Sequence, residues 1–194
     1  MRTSGVDRPA QEPHSGSVTA LAGDGLKPPY GSPIDEDPTL RDQNEYLYFL
    51  RRAFDGMLGA LEDLGDDVGN VRPPLPGANS AYAIAYHCVG VADYWIGHIV
   101  AGREVDRDRA AEFTATGSAH ELRRKVDALF QRLATDLESV TQTALPHNTP
   151  PAEFEGPDRP LSVQGVQLHV LEELAQHHGH IQITRDLLMR GARS

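Results

Sequence analysis

The sequence predicts an all-α protein, a four-helix bundle with long connections. Three observations carry that prediction. Apolar residues recur at helical spacing in four separate stretches. No stretch shows the strict alternation of a half-buried strand, and aromatic residues, which sheets favour, make up only 6% of the chain. With 194 residues there is enough chain for one domain with a sizeable hydrophobic core.

Residues 1–37 are rich in Pro, Gly, Ser and Asp without periodicity, and read as a disordered or loosely packed N-terminal segment. The bundle is expected over 38–194. Its first helix carries Leu47, Leu50, Phe54, Met57, Leu58, Leu61 and Leu64 on one stripe, with Gly65 as the stop signal. "VRPPLPG" then makes a rigid extended connection, because its prolines cannot continue a helix. A second helix begins at Asn79 or Ser80 and runs to Ala101, ahead of Gly102. The third starts at "SAHE", Ser118 to Glu121, a capping box in which each side chain satisfies a free backbone N–H. Leu122, Val126, Leu129, Phe130, Leu133, Leu137 and Val140 form its inward stripe. A Pro-rich loop leads to a fourth helix, capped by Ser162 and ending near Gly191. The connections 66–78 and 141–161 are long enough to cross an end of the bundle and cover a pocket there.

Charge and cysteine usage narrow the function classes. A formal net charge of −10 argues against nucleic acid or an anionic membrane as a partner, since both need clustered Lys and Arg. Cys88 is the only cysteine, which excludes an internal disulfide and a cysteine-only metal site. About 100° of helix rotation separates it from His87, so it reads as a packed thiol rather than a nucleophile. No apolar run approaches the ~20 residues that cross a bilayer, and the N-terminus has no hydrophobic stretch of a secretory signal, so a cytoplasmic protein is expected. The 16 arginines against two lysines, Lys27 and Lys125, point to a GC-rich genome.

The polar residues on the inward faces carry the chemistry. On the fourth helix Val166, Val170, Leu174, Ile181 and Leu188 define the core stripe, yet Glu173 and His177 fall within or at the edge of the same arc, one turn apart. His178 lies to one side, and His169 and His180 to the other, so the three histidines of "HHGH" diverge. On the second helix Ile84, Val91 and Tyr94 line the buried side, His87 sits mid-stripe, and His98 shares the face. A lone buried carboxylate costs several kcal/mol unless it is paired or bound to a cation. His87, Glu173 and His177 together offer two imidazoles and one carboxylate, the ligand set of an open catalytic zinc site. Facial-triad iron sites use the same set. The residues leave a plainer alternative open: His87 as a core histidine bonded to a carbonyl, and Glu173 as the partner of an arginine on another helix.

These same residues bring a family resemblance. "LPGANSAYAIAYHCVGVADYWIGHIVAGREVD" followed by "HVLEELAQHHGHIQITRDLL" resembles the DinB-like, or YfiT-like, metalloenzyme superfamily over about residues 40–190. His87 fills the ligand position on the second helix, with Trp95 eight residues later. Glu173 and His177 fill those on the fourth, followed by Gly179, His180 and Arg185. One departure concerns an acid that the nearest branch carries five residues after the first His: Ala92 stands there, with Asp93 beside it. A second is Glu173 where the wider family often has His, as in mycothiol-dependent maleylpyruvate isomerases.

The resemblance implies a bundle holding a divalent metal, zinc first, with nickel or iron as alternatives, often as a homodimer. It implies a thiol cosubstrate, mycothiol first given the GC-rich composition, with bacillithiol and glutathione as alternatives. The expected function is a metal-dependent thiol S-transferase that conjugates the thiol to an electrophilic small molecule. His98 and Tyr94 are candidates for proton transfer or support, and Arg185 and His180 for contact with the thiol. Other readings are a non-catalytic metal-binding stress or partner module, and a thiol-dependent isomerase or exchange enzyme of a natural-product pathway. The last is a plain bundle with a salt-bridged Glu173.

Overall fold

The computed structural model describes residues 38–151 and 159–191. The N-terminal segment 1–37 lies outside the described residues, as does part of the Pro-rich loop. Every regular element among the described residues is helical.

Helix α1, Pro38–Gly69, buries Leu50, Phe54, Met57, Leu58, Leu61 and Leu64, the stripe the sequence predicts. Gly65 breaks it as expected, at φ 72° and ψ 161°, which a β-carbon would resist. One further turn nevertheless follows, so the element ends at Gly69 rather than at Gly65. Helix α2, Ala81–Ala92, starts where Ser80 accepts a hydrogen bond from the Ala83 N–H at 3.1 Å. It continues as a π-helical stretch, Asp93–Val100, where an unbroken α-helix was expected. A one-turn helix α3, Arg109–Glu112, is a new element and is capped by Asp108. Helix α4, Ala119–Glu138, opens on the predicted Ser118–Glu121 capping box. Helix α5, Val163–Gly191, opens on Ser162, which accepts from the Gly165 N–H. Its Val166, Val170, Leu174 and Ile181 are buried, and Leu188 is partly so. Truncating a fully buried leucine such as Leu50, Leu129 or Leu174 to alanine would cost about 2–5 kcal/mol.

Pairwise contacts fix the helix directions. Phe54 meets Phe130 and Glu62 meets Arg123, so numbers run oppositely and α1 is antiparallel to α4. Gly56 lies against His178 and Asp63 bonds Arg185, so α1 and α5 are parallel. His87 meets His177 and Trp95 meets His169, which makes α2 and α5 antiparallel. Tyr86 meets Lys125 and Asp93 meets Arg132, so α2 and α4 are parallel neighbours.

A parallel pair joined in sequence needs a connection that returns along the bundle. Residues 101–118 are that crossover, and α3 is part of it. Arg103 anchors its start by bonding Asp93 and, through two nitrogens, Asp136 of α4. Asn70 anchors its end, bonding both the N–H and the carbonyl of Gly117. Of the two connections expected to cover a pocket, 66–78 lies within the described residues and 141–161 only in part. Asn148 bonds the carbonyl of His98 and closes the end of the π-helical stretch. Asn70 holds the foot of the crossover. No helix among the described residues is long and apolar enough to cross a membrane.

Candidate metal centre

His87, Glu173 and His177 converge. One ligand atom from each lies within 4.8 Å of the others. The antiparallel packing of α2 on α5 brings the rings of His87 and His177 to 5.1 Å, nearly perpendicular. Helical spacing sets Glu173 one turn before His177, with Oε2 at 3.5 Å from Nε2. Two donors on one tetrahedral zinc stand roughly 3.4 Å apart at zinc–donor lengths of about 2.1 Å. The pair on α5 already has that separation, so the donor set fits a divalent cation. His177 bonds Glu173 and holds its carboxyl below the ordinary value, against the opposing effect of burial. Glu173 is therefore an anion at neutral pH, as a ligand must be.

His87 is oriented from behind. Its Nδ1–H donates to Glu112 Oε2 at 2.7 Å, which leaves Nε2 as the nitrogen with a lone pair to offer. Arg107 grips the same carboxylate with two bonds, Nε to Oε1 at 2.8 Å and Nη2 to Oε2 at 2.9 Å. All three side chains are buried to within 6% exposure, a depth at which an unpaired charge would be expelled. Burial alone would raise the Glu112 carboxyl, but the bonds from His87 and Arg107 outweigh it and hold it below its ordinary value. Phe113 completes the orientation by stacking on the His87 ring at 4.8 Å.

Glu112, Arg107 and Phe113 all come from the crossover, and none was read from the sequence. The acid that meets His87 is neither at position 92 nor Asp93, whose carboxylate bonds Arg103 and Arg132 instead. The local signal that existed is Gly90, one turn after His87. A β-carbon there would lie 2.0 Å from Glu112 Oε1. The glycine makes room on α2 for a carboxylate supplied from elsewhere.

A cavity of about 150 Å³ opens on His87, Glu173 and His177. Val91, Trp95 and Phe113 give it an apolar wall, and Arg107 and Arg109 contribute cationic groups. The other sequence-predicted residues lie elsewhere. Tyr94 is buried, with its ring 5.0 Å from His98 and 5.6 Å from the Arg107 guanidinium. The π-helical stretch rotates His98 out of the register of His87, and its Nδ1 bonds the Arg103 carbonyl. Neither residue lines the cavity. Arg185 bonds Asp63 and Asp186 along the α1–α5 surface. His180 is exposed, with its ring stacked 6.2 Å from that of His177, and desolvation together with the His177 charge lowers its pKa. His169 turns its ring edge-on to Trp95. Cys88 is fully buried, and burial, with the Glu173 and Glu112 charges, pushes its thiol well above the ordinary range. It is packed, as expected.

Comparison with known proteins agrees with this architecture. A family model described as mycothiol-S-transferase matches residues 46–189, which span His87, Glu173, His177 and the crossover. A solved structure of a conserved protein from Enterococcus faecalis is similar in fold, with a TM-score of 0.56 at 13% identity. The likeness covers 75% of this chain and 96% of that one. No curated protein sequence matches the chain.

Proposed function

This chain belongs to the mycothiol S-transferase family of the DinB/YfiT-like superfamily, and from that premise we propose that it joins the sulfur of mycothiol to an electrophilic carbon of a second small molecule. One observation carries the proposal: three metal-competent side chains from two helices meet at a cavity, and the buried Glu112 orients the first of them.

His87, Glu173 and His177 would hold a divalent cation, zinc first, with nickel or iron as alternatives. When bound, the cation supplies the positive charge that favours the thiolate form of a thiol beside it. The chain's own residues do the rest. Glu112 fixes the tautomer of His87 and the direction of its Nε2, and Arg107 keeps Glu112 ionised. Val91, Trp95 and Phe113 exclude water from the reacting atoms, which strengthens every charge interaction inside. The sulfur forms a bond to carbon, and the leaving group departs with the bonding electron pair. A volume of about 150 Å³ matches roughly five water molecules. It encloses the reacting thiol end and a compact electrophile, so the bulk of mycothiol lies outside, where His180 is exposed. His98 and Tyr94 do not line the cavity and sit instead beside the Arg103 carbonyl and the Arg107 guanidinium.

The test is metal-dependent conjugation of iodoacetamide by mycothiol, bacillithiol or glutathione, with the thiols compared in parallel. A metal-dependent rate above the uncatalysed one, largest with mycothiol, is expected. Tight zinc binding with no such rate for any thiol would overturn the proposal in favour of a non-catalytic metal-binding bundle, the reading that the small cavity favours. The homodimer is proposed on the same footing, with sedimentation equilibrium as its check.

A further inference from the structure

We infer that Arg103 is a positioning residue for substrate selection: it pins the π-helical stretch Asp93–Val100 and so sets Trp95 as the wall that limits the size of the electrophile. The inference rests on the thiol-transferase reading and adds the residue that decides how large a second substrate the site accepts.

Two observations carry it. The first is winding. An unbroken α-helix would set Trp95 about 80° round from His87 and His98 only about 20°. A π turn, closed by i→i+5 bonds, advances each residue by roughly 20° less. The deficit accumulates from Asp93 onward, to roughly 40–60° at Trp95 and roughly 100° at His98. Trp95 is thereby brought onto the side of the helix that carries His87 and Val91, and His98 is turned away from it. The placements agree: Trp95 is buried and lines the cavity with His87 and Val91, whereas His98 does not.

The second is the fastening. Arg103 meets the stretch at three points. Its N–H donates to the Gly97 carbonyl at 2.7 Å, its carbonyl accepts from His98 Nδ1 at 3.1 Å, and its guanidinium bonds Asp93. The same guanidinium holds Asp136 of α4 through Nε at 3.0 Å and Nη2 at 2.9 Å. Gly97 makes the fit possible, because a β-carbon there would lie 2.0 Å from Arg103 Nη2. Rewinding the stretch as an α-helix would turn Gly97 and His98 against Asp93, so the three bonds to Arg103 could not all survive. Arg103 therefore holds the winding, and the winding holds Trp95.

Trp95 is the only tryptophan in the chain, so its fluorescence reports its setting directly. The first experiment measures metal-free variants that keep wild-type helix content by circular dichroism. Arg103→Met should shift Trp95 emission to the red and raise its quenching by acrylamide. Arg103→Lys, which keeps the charge without the fork, should fall between. Gly97→Ala should act like Arg103→Met, since it displaces the guanidinium while leaving every charge in place, and it gives the reading should Arg103→Met fail to fold. Wild-type emission and quenching in these variants would overturn the assignment.

The second experiment compares iodoacetamide with iodoacetanilide, which carries the same reacting carbon on a bulkier body, as electrophiles for the metal-loaded protein. In both, the thiolate sulfur bonds the methylene carbon, iodide leaves with the electron pair, and the thiol proton goes to solvent. The iodoacetanilide-to-iodoacetamide ratio of kcat/KM, each corrected for the uncatalysed rate, should rise about 10-fold or more in Trp95→Ala and in Arg103→Met. In the Trp95→Ala background, Arg103→Met should leave the ratio where Trp95→Ala alone sets it. A further independent change there, or no change in Arg103→Met by itself, would overturn the positioning role while leaving thiol transfer intact. No conjugation of either reagent by the wild type would instead remove the transferase reading, and the acrylamide measurement would still decide whether Arg103 positions Trp95.

Discussion

Replacing Gly90 with alanine should damage the metal centre without touching a ligand. The added β-carbon would lie 2.0 Å from Glu112 Oε1, 2.8 Å from its carboxyl carbon and 3.3 Å from Arg107 Nε. Ordinary carbon contacts begin near 3.5 Å, so the carboxylate must retreat by about 1 Å or more. The 2.7 Å bond to His87 Nδ1 does not survive such a shift. Two energies then oppose each other. Alanine in place of a mid-helix glycine gains about 1 kcal/mol of helix propensity. Breaking a buried ion pair costs about 3–5 kcal/mol. The net loss of about 2–4 kcal/mol corresponds to a fall in Tm of roughly 4–16 °C. Zinc affinity should drop about 10- to 100-fold, as it does when a ligand histidine loses its orienting carboxylate. Isothermal titration of zinc and a thermal melt measure both. Gly59→Ala is the control, because a β-carbon there meets nothing within 4 Å and should leave zinc affinity alone while raising Tm slightly. Wild-type zinc affinity in Gly90→Ala would refute the claim that Glu112 governs His87.

Three more predictions follow from the same geometry. His87→Ala and Glu173→Gln should each lower bound zinc well below one per chain by elemental analysis, whereas Arg185→Gln, whose bonds lie on the outer surface, should not. Glu112 and Glu173 both have carboxyl pKa values lowered on folding from 4.5, so their stabilisation is complete above that value and is lost as pH falls through the folded values. Urea unfolding of the metal-free protein should accordingly weaken in acid, and Glu112→Gln should be less stable at pH 7 with a shallower acid loss; a parallel profile would contradict the ion pairs assigned here. Cys88 has its thiol raised on folding, so its contribution is present below the unfolded value and fades as pH rises above it. Iodoacetamide should label Cys88 only in urea, and labelling of the native protein at wild-type stability would contradict its burial.

The helices, and the inward placement of His87 on one of them and of Glu173 and His177 on another, were legible in the sequence because both follow local rules. The capping box at Ser118 and the leucine stripes of α1 and α4 depend on residues three or four apart. Glu173 and His177 follow the same spacing, and His87 announces itself as a polar residue on an apolar stripe. Sequence determined that much, since a helix fixes which of its own residues share a face. Local rules failed at the π-helical stretch, whose wider turns carry His98 out of line with His87, and at the crossover. The pairing of α2 with α4 in parallel was decided by tertiary packing, and that pairing obliges residues 101–118 to run back along the bundle. Glu112, Arg107 and Arg109 reach the site only by that route, across 20 or more residues of chain from His87 in the case of each. Periodicity cannot encode such a meeting, because it arises from how separate helices stack and not from how any one of them turns.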